Sequence, residues 1–196
     1  MGGSLRAGST SLSALKVTLD GVRAAGGTAY LMDLREWMLP LYTPEHGIPP
    51  RARELADSVH SADALIWSSP TYHGSVSGAF KNALDWLILL AESDPPYLSN
   101  KPVGLVTTAG GVQGLQAVNS MEFIVRALRG WAVPQVLPVP QSWQIFDPEG
   151  HLTDERLADR LRALGAEVVR AARQFQRTGT CDYAEGRLFT AWAGEG

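Results

Sequence analysis

The sequence predicts one doubly wound α/β domain, in which a parallel sheet carries helices on both faces. Apolar runs of strand length alternate along the chain with segments whose apolar residues recur at helical spacing. The runs 63–69 and 102–108 are nearly continuous in apolar residues, as expected for parallel strands that are buried on both faces. With 196 residues, 45% of them apolar and 19% charged, the chain has enough core material for one such domain.

Five helices and four strands can be traced in order. The first helix carries Leu12, Leu15, Leu19 and Val22, with Ser9, Thr10 and Ser11 as candidate N-caps and Gly26 and Gly27 as its stop. Later helical stripes run from Ala52 to Val59, from Val76 to Ile88, from Val118 to Leu128 and from Leu157 to Phe175. The strands are predicted at 28–34, at 63–69 with a stop at Pro70, at 102–108 and at 134–139. Two prolines inside the last strand place it at an edge of the sheet, where a missing N–H is tolerated.

The series of elements opens on a glycine-rich loop rather than on a strand. Because a right-handed βαβ series begins with a strand, we expect a further apolar strand of about five residues upstream of Met1. An alternative is that residues 186–192 (GRLFTAW) insert into that position, which would require an effectively permuted chain and is disfavoured. Residues 1–175 are predicted to form the domain, and 176–196 a tail that packs on its surface or reaches a partner subunit.

Charge and cysteine content exclude several classes of protein. A net charge of −3 argues against nucleic acid or an anionic membrane surface as the main partner. Cys181 is the only cysteine, so an intramolecular disulfide or a cysteine-based metal cluster cannot form. No apolar run approaches the roughly 18 residues of a membrane span, and the first 15 residues are too polar for a signal peptide. These observations predict a cytoplasmic protein without a membrane anchor.

No catalytic nucleophile and no metal site are predicted. The sequence has neither a GxSxG elbow nor an HExxH motif, and its histidines lack metal-ligand spacing; they are His46, His60, His73 and His151. Four of the tryptophans are most simply explained as core or interface bulk, namely Trp37, Trp67, Trp131 and Trp143.

Three loops lie at carboxyl ends of strands, which is where ligands bind in open parallel sheets. The first loop (residues 3–11) combines glycines, hydroxyl side chains and Arg6 just before a helix. Glycines permit close backbone approach, and free N–H groups at a helix start bind phosphate oxygens. The first loop therefore favours a phosphomonoester, although an ordinary Ser-capped helix is the simpler alternative.

The second loop (70–75) and the third loop (107–114) suit a flat ring. A strand that ends in Pro-x-aromatic and turns through Gly-Ser offers several backbone N–H groups beside a ring, as a heteroaromatic ligand with carbonyl edges needs. Taken alone, Tyr72 more often packs than binds a ligand, and His73 is most simply a solvated loop residue. The third loop again pairs hydroxyls with glycines, and its alternative is a plain βα turn.

Together these residues resemble the NADPH-dependent FMN reductase family over about residues 2–175. The resemblance is carried by Gly3-Ser4-x-Arg6-x-x-Ser9, by Pro70-x-Tyr72-His73-Gly74-Ser75-x-Ser77-Gly78-x-Phe80-Lys81-Asn82-x-x-Asp85-Trp86, and by Gly110-Gly111. It implies a flavodoxin-like fold with strand order 2-1-3-4-5, with FMN as cofactor and NADPH or NADH as hydride donor. Strand 1 of that order corresponds to the strand that we expect upstream of Met1.

The resemblance also implies which residues bind FMN. The phosphate would be held by Ser4, Arg6, Ser9 and Ser11. The isoalloxazine ring would be lined by Pro70, Thr71, Tyr72, His73, Gly74 and Ser75, with Thr108, Ala109, Gly110 and Gly111 at its other edge. The flavin itself would carry the hydride chemistry, so no side chain is predicted to be catalytic. Members are usually homodimers or homotetramers, so Lys81 and Asp85, which can pair at i and i+4, are better read as structural or subunit-contact charges.

The leading interpretation is an NAD(P)H-dependent FMN reductase. It would pass reduced flavin to a flavin-dependent monooxygenase, or electrons to a small-molecule acceptor such as a quinone, an azo compound or a metal oxyanion. One alternative is a flavodoxin-type electron carrier, against which Arg6 and the near-neutral charge argue. Another is a catalytically silent flavodoxin-like subunit.

Overall fold

A parallel sheet flanked by helices forms the centre of the molecule. The computed structural model describes residues 1–45, 47–147 and 149–178. The strands are β1 (Leu65–Tyr72), β2 (Ser75–Val76), β3 (Pro102–Thr108) and β4 (Trp131–Val139). The helices are α1 (Thr10–Ala24), α2 (Leu34–Trp37), α3 (Pro50–Ser61), α4 (Gly78–Asp85), a 3₁₀ helix (Trp86–Leu90), α5 (Leu115–Ala127), α6 (Ser142–Ile145) and α7 (Glu155–Thr178). His46, most of the tail and its segment 186–192 lie outside the described residues.

Strand pairing brings the carboxyl ends of the long strands to one edge of the sheet. The order is β2-β1-β3-β4, with β1 parallel to β3 and β3 parallel to β4. The pairing runs from Leu65 opposite Val103 to Pro70 opposite Thr108. Within this sheet β4 lies at the edge, which confirms the position predicted from its prolines.

Two layers of helices cover the two faces of the sheet, as the sequence predicts. α1 and α7 pack together over one face, where Ile66 and Val106 point towards them. α3, α4, the 3₁₀ helix and α5 cover the other face, where Trp67 is buried with its ring 5.6 Å from that of Phe80. None of the helices in the described ranges is long and apolar enough to cross a membrane.

The boundaries differ from prediction around Pro70. The extended backbone of β1 does not stop at this proline but continues to Tyr72, because the fixed φ of proline is compatible with a strand. The chain then turns and pairs back as β2, with Thr71 opposite Val76. The following helix therefore begins at Gly78, two residues later than its apolar stripe suggests.

The prediction of a strand at 28–34 is wrong. Residues 28–32 form no strand, and only Asp33 makes an isolated parallel bridge, to Gly2. The reason lies in the neighbouring position of the sheet. Among the described residues, only 1–3 occupy it, and they pair with residues 32–34 on one side and 66–68 on the other. A strand forms only where a neighbour supplies its hydrogen bonds.

A cavity of about 860 Å³ continues this position towards the amino ends of the strands. Its lining includes residues 26–32, residues 61–67 and the last turns of α7. At its inner end the Met1 nitrogen donates a 2.6 Å hydrogen bond to the carbonyl oxygen of Ile66. Burial without a counter-charge lowers the pKa of this amino group to about 5.

A close crossing of two helix backbones fixes α1 against α7. A Cβ atom added at Gly165 would overlap the carbonyl oxygen of Thr18, and one added at Gly21 would overlap that of Arg162. Only glycine at both positions allows this approach, because the obstructing atoms belong to backbone that is itself held in a helix.

We predict that Gly165→Ala lowers the free energy of unfolding by about 2 kcal/mol or more, since the new methyl group forces two packed helices apart. Urea denaturation followed by circular dichroism measures this loss. Gly78→Ala is the matched control: its added Cβ meets no heavy atom within 4 Å, so stability should be unchanged or slightly higher. Equal stability of the two variants would contradict the close crossing.

Candidate functional site

The first loop leaves the sheet through residues that admit no side chain. The Gly3 N–H donates to the Ser68 carbonyl of β1 at 2.7 Å, and the Ser77 hydroxyl donates to the Gly3 carbonyl. A Cβ at Gly3 would come within 2.7 Å of the Phe80 ring. The loop therefore starts from a backbone position that is fixed on three sides.

Hydroxyl groups line the base of the first loop. Ser4 is buried, and its Oγ accepts a 3.1 Å hydrogen bond from the Arg6 N–H. Ser9 and Ser11 are also buried, with their Oγ atoms 2.8 Å apart. Two of the four predicted phosphate ligands, Ser9 and Ser11, are therefore in direct contact.

The start of α1 adds unpaired donors and positive charge to this surface. The Ser9 side chain does not cap the helix, and the first turn contains no acidic residue. The backbone N–H groups of that turn therefore keep their attraction for an anion. Arg6 is exposed and makes no ion pair with any residue in the described ranges. This combination of groups fits a phosphate.

The second loop is a tight hairpin between β1 and β2. Its two central residues, His73 and Gly74, have φ values of 49° and 81°, which is the backbone of a type I′ turn. Tyr72 is 51% exposed beside it, so its ring does not belong to the core. The hairpin is braced from α5, where Ser120 Oγ lies 3.4 Å from Ser75 Oγ.

One hydroxyl of the second loop has no partner. The Oγ1 atom of Thr71 is buried and makes no hydrogen bond within the part of the chain that the structure describes. A buried polar atom without a partner costs roughly 1–3 kcal/mol, so it indicates a ligand or a water at this point. It lies in the loop that the sequence assigns to a flat ring.

The third loop presents bare backbone. Its ends are held by hydrogen bonds of 2.9 Å, from the Thr107 hydroxyl to the Gly114 carbonyl and from the Ala109 N–H to the Val139 carbonyl. Between these ends Gly110 and Gly111 are exposed, and a Cβ added at either would meet no heavy atom within 4 Å. A planar group could therefore approach the backbone here directly. The predicted Thr108 and Ala109 are buried beneath.

Sequence reasoning missed the serines that join the first and second loops. The Ser68 hydroxyl donates to the Ser11 carbonyl at 2.7 Å, and the Ser77 N–H donates to Ser69 Oγ at 3.1 Å. The available signal was the presence of Ser68 and Ser69 inside an otherwise apolar strand. A hydroxyl in such a place needs a specific partner, and here the partners belong to the two loops or their immediate flank.

A fourth element, α6, also borders the site. The Ser142 Oγ lies 3.0 Å from the Thr10 Oγ1, and the Ser142 N–H donates to the Ala109 carbonyl at 2.9 Å. α6 therefore ties the start of α1 to the third loop. The sequence analysis assigned no site residue to this segment.

Predictions for side chains outside the three loops are confirmed in two cases and wrong in two others. Lys81 and Asp85 pair at 2.6 Å on the exposed face of α4, which confirms the predicted i, i+4 contact. Trp67 is a core residue as predicted. The core interpretation is wrong for Trp131 and Trp143, which are 58% and 66% exposed. Trp131 is the first residue of the edge strand β4, and Trp143 lies in α6 just after that strand.

The fold and the loops define a class of protein: a doubly wound domain with a nucleotide-type site at the carboxyl edge of its sheet. The profile of the NADPH-dependent FMN reductase family matches residues 1–144 of this chain. The chain therefore belongs to this family. FMN and NADPH are named both in the description of the family and in the names of its relatives.

Two relatives illustrate the range of the family. The NADPH-dependent FMN reductase ArsH of Acidithiobacillus ferrooxidans is 30% identical over 132 residues, which cover 67% of this chain and 55% of that protein. The FMN-dependent NADPH-azoreductase of Staphylococcus aureus is 34% identical over 119 residues, which cover 60% of each protein. The matched region thus spans 55% to 60% of the length of these relatives.

Solved structures confirm the fold. FerB, a flavoenzyme NAD(P)H:(acceptor) oxidoreductase from Paracoccus denitrificans, superposes with a TM-score of 0.69 at 24% identity, over 88% of this chain and 94% of that chain. A flavodoxin from the domain Archaea superposes with a TM-score of 0.60 at 11% identity, over 84% of this chain and 92% of that chain. The fold class is therefore flavodoxin-like, as the sequence predicts.

The residues of the three loops fit FMN. The hydroxyls, the arginine and the open helix start of the first loop suit its phosphate. The unpartnered Thr71 hydroxyl and the open backbone at Gly110 and Gly111 suit a flat ring with polar edges.

We predict that Ser77→Ala weakens FMN binding as well as the fold. Its hydroxyl donates to the Gly3 carbonyl and accepts a 3.1 Å hydrogen bond from the Phe80 N–H, so the change frees the first loop and removes the cap of α4. Stability should fall by about 1–2 kcal/mol, and the Kd for FMN should rise.

Fluorescence titration with FMN and thermal unfolding measure the two effects. Ser99→Ala is the control, because it removes a 2.7 Å hydrogen bond to the Pro96 carbonyl away from the loops and should leave the Kd unchanged. If Ser77→Ala lowers stability while binding FMN as the parent does, Ser77 does not position the first loop.

Proposed function

We propose that the protein is an NAD(P)H-dependent FMN reductase. The observation that supports this proposal is that one residue, Ser77, joins two parts of the site. Its hydroxyl donates to the Gly3 carbonyl of the first loop, and its backbone N–H donates to Ser69 Oγ in the strand that leads into the second loop. A phosphate site and a ring site are thereby held at a fixed separation. When bound, FMN accepts a hydride from the nicotinamide and delivers the electrons to an acceptor.

In this proposal the first loop holds the phosphate. Ser4 and Ser9 supply hydroxyls from buried positions, and Ser11 orients that of Ser9. Arg6 supplies a planar cation from the solvent side, while the start of α1 supplies backbone N–H groups. These groups bind and orient; none of them needs to move a proton.

The second and third loops receive the ring. The Thr71 hydroxyl and the backbone N–H groups from His73 to Ser75 face its polar edge, where they would stabilise negative charge. Pro70 and Tyr72 border the same side. Thr108, Ala109, Gly110 and Gly111 form the opposite border and keep one face open for the nicotinamide.

The acceptor and the assembly belong to the same proposal. The electrons pass to a quinone, an azo compound or a metal oxyanion, or reduced flavin passes to a monooxygenase; the azoreductase among the relatives supports the azo class. We propose a cytoplasmic homodimer or homotetramer. Support for the assembly comes from Phe123 on α5 and Ile88 in the 3₁₀ helix, which are apolar and exposed.

The direct test is a visible spectrum of the purified protein after incubation with FMN and desalting. A retained band near about 450 nm that bleaches on anaerobic addition of NADPH is the expected result. A retained band that NADPH does not bleach would instead favour a flavodoxin-type carrier, a candidate that the archaeal flavodoxin neighbour raises. No retained band, together with no NADPH oxidation when excess FMN is present, would overturn the proposal.

We predict that Arg6→Ala raises the Kd for FMN by about tenfold, the loss of roughly one charge-assisted hydrogen bond to phosphate. The Kd for riboflavin, which has the same ring without the phosphate, should not change. Fluorescence quenching of each flavin gives the two constants. Arg23→Ala is the control, since Arg23 is an exposed arginine that pairs with Asp20 at the far end of α1. An equal loss for FMN and riboflavin would place Arg6 elsewhere than at the phosphate.

A further inference from the structure

We propose that Trp143 forms a stacking wall for planar aromatic electron acceptors at the mouth of the site. This inference rests on the proposed function and names the class of acceptor that the site takes. Trp143 lies in α6, next to residues that hydrogen-bond to the first helix and to the third loop.

The position of Trp143 is set by a reversal of the chain after β4. Gln141 has a left-handed backbone with a φ of 46°, which turns the chain back over the carboxyl edge of the sheet. The Gln141 N–H then donates to the Gly111 carbonyl at 2.9 Å, and the Ser142 N–H donates to the Ala109 carbonyl at 2.9 Å. α6 is thus laid directly against the third loop.

The indole ring is held at one edge and free elsewhere. Its Nε1 donates to the Gly110 carbonyl at 3.2 Å, yet the residue remains 66% exposed. An exposed tryptophan side chain is usually free to change rotamer, whereas the only polar atom of this one is held by a hydrogen bond. A ring fixed in this way offers a flat apolar surface at a small cost in conformational entropy.

The space in front of the third loop is open. Neither Gly110 nor Gly111 has a heavy atom within 4 Å of the position that a Cβ would take. The ring therefore stands beside bare backbone, with room for a second flat molecule. Tyr72, half exposed on the second loop, adds another aromatic group at the same edge of the sheet.

The wall is also tied to the phosphate side of the site. The Ser142 hydroxyl is buried and lies 3.0 Å from that of Thr10, the first residue of α1. The indole, the third loop and the start of α1 consequently belong to one hydrogen-bonded unit. A ring that only filled surface would not need this connection.

The chemistry of the acceptor follows from the shape and the charge of the wall. An apolar indole face attracts a planar conjugated ring and gives no such attraction to a compact, highly charged anion. In the overall reaction a quinone gains two electrons and two protons to become a hydroquinone. NAD(P)H supplies both electrons and one proton as a hydride, and solvent supplies the second proton.

Binding without turnover gives the first test. Oxidised holoenzyme is titrated with the planar azo dye methyl red, without NADPH, and the Kd is read from the difference spectrum. Trp143→Ala should raise this Kd about five- to tenfold, while Trp143→Phe, which keeps a ring, should stay within about threefold. Trp131→Phe is the matched control, because Trp131 is comparably exposed but packs on Phe175 at the amino end of β4, and it should not change the Kd.

Steady-state kinetics gives the second test. For Trp143→Ala, the ratio of the KM for a naphthoquinone to the KM for ferricyanide should rise about fivefold or more over the parent value. An unchanged ratio, or a Kd for methyl red that does not respond, would overturn the proposal, even if the Kd for FMN rises because the third loop has loosened. Parent protein that fails to oxidise NADPH with either acceptor would instead overturn the proposed function.

Discussion

The site depends on a short piece of backbone that is clamped between two segments of the sheet. Residues 1–3 hydrogen-bond to residues 32–34 on one side and to Ser68 on the other, at distances of 2.7 to 3.2 Å. A Cβ at Gly3 would come within 2.7 Å of the buried Phe80 ring, and one at Gly2 within 2.8 Å of Leu12 Cδ1, so a side chain at either position would force a neighbour to shift. The clamp decides where the first loop leaves the sheet, and therefore where α1 begins. If these three residues shifted, the hydroxyls of the loop and the N–H groups of the helix would shift with them.

Buried hydroxyls transmit this placement to the rest of the carboxyl edge. Ser68 reaches the start of α1, Ser77 reaches the first loop, and Thr10 meets Ser142. Each such contact adds only about 1 kcal/mol to stability, so the fold would tolerate the loss of one of them. Their value is positional, since a hydrogen bond between loops fixes a distance that apolar packing leaves loose. Within the described residues Thr71 is the exception among these hydroxyls, because its Oγ1 atom is buried without a hydrogen-bond partner in the second loop.

The sequence predicted those elements whose stability is local or fully buried. The predicted bounds of the strand at 102–108 are confirmed. Every one of its residues is buried, and a continuous apolar run is typical of such a strand. The strand at 28–34 failed because a strand needs a neighbour, and composition does not report whether the neighbour is present. The three loops were recognisable from glycines and hydroxyls at strand ends. The role of α6 was not recognisable from the sequence, because it arises from contacts between residues that are distant along the chain, such as the hydrogen bond between Thr10 and Ser142.

The cavity and the site share one position in the sheet, yet they are separable. Residues 1–3 fill the carboxyl half of that position, and the cavity of about 860 Å³ fills the amino half. The geometry of the three loops is set by hydrogen bonds in the carboxyl half, whereas the cavity is lined by α7, α3 and residues 26–32. Material that fills the amino half would add apolar burial and so raise stability. It would not alter the distances among Gly3, Ser77 and Ser142, because none of their hydrogen bonds crosses the cavity. The hydrogen bonds that position the three loops therefore lie in the carboxyl half of this position, and the cavity lies in its amino half.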